Sequence, residues 1–86
     1  MTFEGAVVRE QGVTFAIVVV KESALSPMSE AAEHIRSYAR FFPGLPVVLM
    51  GQDYRGTPKY VGRHDIVNFL ANISMLRIPW RKYTYA

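Results

Sequence analysis

Between Val13 and Lys21 the chain reads VTFAIVVVK, with apolar residues at both parities from Phe15 to Val20. A strand with one wet face alternates, whereas one covered on both faces reads as a continuous apolar run. The segment therefore predicts a central strand. Gly5 to Glu10 alternates weakly and joins it through Gln11-Gly12, which predicts an N-terminal hairpin whose first strand lies at the sheet edge. After it, Ser26-Pro27 predicts a helix start, with Ser26 as N-cap and Pro27 at the first helical position. Met28, Ala31, Ala32, Ile35, Tyr38, Ala39 and Phe42 recur at helical spacing, opposite Glu30, Glu33, His34, Arg36 and Arg40. Pro43-Gly44 ends that helix.

Pro46 to Met50 reads as a short buried strand, parallel to Val13–Lys21 because strand, helix, strand connections are right-handed crossovers. Lys59 to Val61 predicts a further strand. Arg63 to Ile73 predicts a second helix, with Asp65 in its first turn, where a carboxylate suits the dipole. Trp80 to Tyr85 alternates aromatic and cation and predicts an edge strand, with Pro79 tolerated at its start. The expected architecture is a small α/β domain, two-layer or sandwich. It has a mixed sheet of four or five strands in the order ββαββα with a possible C-terminal edge strand, and residues 1–86 form a single domain.

Composition narrows the chemistry. The 86 residues contain no cysteine, which removes disulfides, thiolate metal sites and thiol catalysis. The apolar runs are too short to span a bilayer, which takes roughly 20 residues. An acid in Met1-Thr2-Phe3-Glu4 argues against a secretory signal, so no membrane partner and a cytoplasmic location are expected. Residues 1–50 carry four cations and five acids, and residues 51–86 carry six and two. The second part is thus the basic one, about +4 by that count.

Gly51 to Asn68, GQDYRGTPKYVGRHDIVN, concentrates the polar chemistry. Two glycines after a strand resemble the opening of a phosphate loop, but Thr57-Pro58 stands where Lys and Ser or Thr belong. A tight turn is the simpler reading. His64 and Asp65 are adjacent helix positions that do not face each other, which disfavours a catalytic dyad. Too few ligands gather to hold a metal; no cofactor and no catalytic residue is expected.

Tyr54, Arg55, Lys59, Arg63 and His64 form the candidate ligand site, where cations near a helix start suit a small anion. The favoured reading of the same cations is that they only keep a small basic protein soluble. Trp80, Tyr83 and Tyr85 are candidate interface residues on an exposed edge, pointing to a homodimer or another protein partner. The same aromatics and cations also suit weak single-stranded nucleic-acid binding, a less favoured partner. The expected role is a non-catalytic interaction or assembly module.

Residues 13–73 resemble the thioredoxin and glutaredoxin family in the order strand, Ser-Pro-opened helix, strand, then Arg55-Gly56-Thr57-Pro58 before a strand, Gly62 and a final helix. The resemblance implies a cis proline at Pro58 and places Ala24 to Pro27 where the redox cysteines sit. With both cysteines absent it implies no redox activity; combined with the cations above, the alternative function is a thioredoxin-like domain without redox cysteines that binds a small anionic ligand near residues 54–65. Arg36 to Gly51 is also similar to a helix-to-strand passage of response-regulator receivers.

Overall fold

The computed structural model describes residues 1–10 and 12–85. In chain order these form β1 Thr2–Glu10, β2 Val13–Val19, a 3₁₀ turn Glu22–Leu25, α1 Met28–Ala39, β3 Val47–Gln52 and β4 Pro58–Val61. They are followed by α2 His64–Leu70, a second 3₁₀ turn Met75–Arg77 and β5 Arg81–Thr84. The strands make one mixed sheet in the order β4-β3-β2-β1-β5. β2 and β3 are parallel, with Ala16 opposite Val47 and Val19 opposite Met50; the other pairings are antiparallel.

β2 is central, as its unbroken apolar run requires. Its alternate residues feed two separate cores. Ala16 and Val18 join Phe3, Leu25, Ala31, Phe42, Val47 and Leu49 under α1. Phe15 and Ile17 join Ala6, Val48, Met50, Ile66, Leu70 and Ile78 under α2. One helix therefore covers each face, which is the sandwich form of the expected α/β domain. Fully burying side chains such as Phe15, Ile17, Leu49 and Leu70 stabilises the fold by about 1.5–3 kcal/mol each.

Several local expectations are corrected. β1 is not an edge, because β5 pairs along its outer side from Thr2 opposite Thr84 to Gly5 opposite Arg81. The turn predicted at Gln11-Gly12 lies partly outside the described residues, and Gly12 has φ 80°, a conformation glycine adopts without steric cost. Ser26 does not cap α1: the N-cap is Pro27, with no side-chain cap bond, and its carbonyl accepts from Glu30 and Ala31. Met28 projects into solvent, not into the core. The helix stops at Ala39, three residues before Phe42; Phe41 and Phe42 continue in tight turns donating to Tyr38 and Ala39. The cis peptide bond among the described residues is Ser26–Pro27, not the one before Pro58.

Candidate functional site

Tyr54 and Arg55 sit at the tip of the β3–β4 hairpin. Asp53 Oδ1 accepts from the main-chain N–H of Arg55 at 2.8 Å and of Thr57 at 3.0 Å. Gly56 takes φ 82° and its carbonyl accepts from Gln52 Nε2 at 3.0 Å. An aspartate bonding the main chain two residues on is how a turn satisfies itself. The loop thus spends its polar groups on its own shape. Arg55 Nε donates to Tyr54 Oη at 2.9 Å with its guanidinium over that ring, and Tyr54 is 88% exposed.

The other three proposed ligands lie away from this tip, with Lys59 on one face of the sheet and the neighbouring Arg63 and His64 at the start of α2. Lys59 lies on the α1 side of β4 and pairs with Glu22 at 2.9 Å, which raises its pKa through that hydrogen bond and its charge. Arg63 opens α2 on the opposite face and holds Asp65 through two bonds, Nε to Oδ1 at 2.7 Å and Nη2 to Oδ2 at 2.8 Å. That fork holds the Asp65 carboxyl at about 2 and raises the arginine. His64 follows at the first position of α2 and is exposed. β4 alone separates the hairpin tip from α2 by about 10 Å, at some 3.3 Å per residue. The five residues do not converge, and Lys59 and Arg63 each already hold a carboxylate.

The C-terminal aromatics are placed by β5 pairing with β1. Met1 and Tyr85 exchange main-chain bonds at 2.7 and 2.8 Å, so Tyr83 and Tyr85 share the α1 face with Phe3. Tyr85 stacks on Phe41 with centroids 4.2 Å apart, and Tyr83 stacks on Phe3 at 5.4 Å and meets Phe42 edge-on. Trp80 lies on the other face and donates from Nε1 to the Met75 carbonyl at 2.9 Å. All three are half-buried in the chain's own cores. The rings are therefore not the free platform that base stacking uses. What β5 leaves open is its outer main chain and the exposed Arg81 and Lys82.

A groove outside the candidate ligand residues lies at the carboxyl end of β2, with a volume of about 440 Å³. Its polar lining is Thr2, Lys21, Ser23, Glu30, His34 and Tyr38. It exists because the chain leaving β2 turns toward β3: a Cβ on Gly51 would lie 3.2 Å from the Glu22 Cα and 2.9 Å from Leu25. The ends of β1 and β2 stay uncovered. Crevices at the carboxyl ends of strands are where open α/β sheets bind ligands. Ser23 and His34 make no hydrogen bond to each other, so the groove holds no assembled nucleophile and base. The only hint in the sequence is the polar run KESALSP after an apolar strand.

Among the described residues no three metal-ligating side chains come together, and no helix is long and apolar enough to cross a membrane. No family model, curated protein or solved structure matches the chain.

Proposed function

We propose that this domain is a non-catalytic assembly module that works by strand addition at the outer edge of β5. The observation that supports it is the direction of the β5 main chain. Hydrogen-bonded and non-hydrogen-bonded pairs alternate along an antiparallel ladder. Met1 and Tyr85 exchange both bonds, so Tyr83 and Arg81 also face β1, opposite Phe3 and Gly5. Lys82 and Thr84 therefore turn N–H and C=O outward, a template for another strand.

The opposite edge is poorer. Asp53 donates to the Thr57 carbonyl at 3.0 Å, so Lys59 and Val61, opposite Gly51 and Leu49, face inward on β4. Pro58 and Tyr60 face outward, and proline has no N–H to offer. The self-satisfied hairpin and the paired Lys59 and Arg63 favour an interaction role over an anion site.

Amide exchange measured across a concentration series tests the reading. The Tyr83 and Tyr85 amides, bonded to β1, should be protected at every concentration, and the Lys82 and Thr84 amides only as the protein associates. Thr84→Pro removes an outward N–H and no bond to β1, so it should abolish association while circular dichroism stays native. Unprotected Lys82 and Thr84 amides at millimolar protein, together with monomeric sedimentation, would sink the proposal.

A further inference from the structure

Resting on that reading of the β5 edge, we infer that its partner is a second copy of β5, antiparallel, with the two-fold axis at Tyr83. Only residues whose main chain points outward can form the hydrogen-bonded pairs of a new ladder, which leaves Lys82 and Thr84. Three symmetric registers use them. Placing Lys82 opposite Lys82 of the second copy sets like charges face to face, which destabilises a cross-strand pair. Its flanking pair also needs the Trp80 N–H, already given to the Ile78 carbonyl at 2.9 Å.

Placing Thr84 opposite Thr84 leaves Lys82 facing the chain beyond Tyr85 and makes one bonded pair within the strand. Placing Lys82 opposite Thr84 of the second copy makes two, each exchanging both main-chain bonds, with no like charges opposed. In that register Tyr83 faces its own copy on the α1 side, and Arg81 faces Tyr85 of the second copy. A cation beside a tyrosine ring is itself attractive. Arg81 and Lys82 have no ion-pair partner among the described residues, so no intramolecular contact must break first. The pairing joins the two sheets into one and covers an edge on each copy.

Because the chain has no cysteine, engineered thiols report the register directly. Lys82→Cys and Thr84→Cys both change exposed side chains. The two proteins are mixed and oxidised mildly at a concentration where the parent chain sediments as a dimer. The expected product is the mixed 82–84 disulfide, formed at least about tenfold faster than either homodisulfide. Directly opposed Cα atoms lie within bridging range, whereas separations beyond about 7 Å cannot close without backbone movement.

Dominant 82–82 or 84–84 disulfides in a protein that still dimerises overturn the register and leave edge assembly standing. Monomeric sedimentation with a random mixture of disulfides overturns both.

Discussion

Tyr60→Phe is expected to stabilise the protein, the reverse of what removing a polar group from a folded chain usually does. Tyr60 lies on β4 opposite Met50 and packs into the α2-side core, and its hydroxyl is buried without a hydrogen-bond partner. An unsatisfied buried polar group costs about 1–3 kcal/mol. Deleting the oxygen also forfeits a few dispersion contacts of about 0.1–0.2 kcal/mol each. The expected net gain is about 1 kcal/mol, or roughly 4–8 °C in melting temperature for a domain of this size.

Urea denaturation at neutral pH is the direct assay: the midpoint should rise by about 0.5 M with the slope unchanged, taking a slope near 2 kcal/mol/M. A second arm uses pH. Burial raises the phenol above its ordinary 10.0, so the unfolded chain ionises first. Stability linked to Tyr60 is full below pH 10.0 and is lost as pH rises through the folded value. Tyr60→Phe lacks that loss, so its advantage should widen above pH 10.0. Destabilisation by about 0.5 kcal/mol or more, the value of a modest satisfied hydrogen bond, would refute the reasoning.

Three further changes test other joints of the fold. Gly5→Ala places a Cβ 2.5 Å from the Ile17 carbonyl oxygen, a main-chain atom that cannot step aside alone; a loss of about 2–3 kcal/mol is expected from overpacking, read by the same denaturation assay. Asp53→Ala removes both side-chain bonds that shape the β3–β4 turn and should cost about 1 kcal/mol, with amide shifts confined to residues 52–58. The Asp65 carboxyl should titrate near 2 by carbon-detected NMR and return toward 3.8 in Arg63→Ala. Its depressed pKa means that its contribution to stability is present above pH 3.8 and lost as pH falls through about 2.

The local elements were legible because their causes are local. Phe15 to Val20 announces a strand buried on both faces, and the spacing of Ala31, Ile35, Tyr38 and Ala39 announces a helix face. The alternation of Trp80 to Tyr85 announces the edge strand that β5 became. Even so, Ser26-Pro27 looked like an ordinary helix start, and the structure uses Pro27 itself as N-cap.

The candidate site was less legible, since side-chain partners are set by long-range pairing. Lys59 is neutralised by Glu22, from a turn distant in sequence, and Tyr85 is covered by Phe41 because β5 adds beside β1. The groove at Lys21, Ser23 and His34 depends on which way the chain turns after β2.

By itself the sequence determined an α/β domain built on one central strand, without thiol chemistry and with a basic, aromatic last strand, because periodicity and composition act residue by residue. The tertiary structure decided the strand order, which helix covers which face, and which polar groups remain free. Those depend on a register in which one strand's alternate residues must satisfy two neighbours at once, and only the assembled sheet shows that Lys82 and Thr84 are the residues of β5 whose main chain faces out.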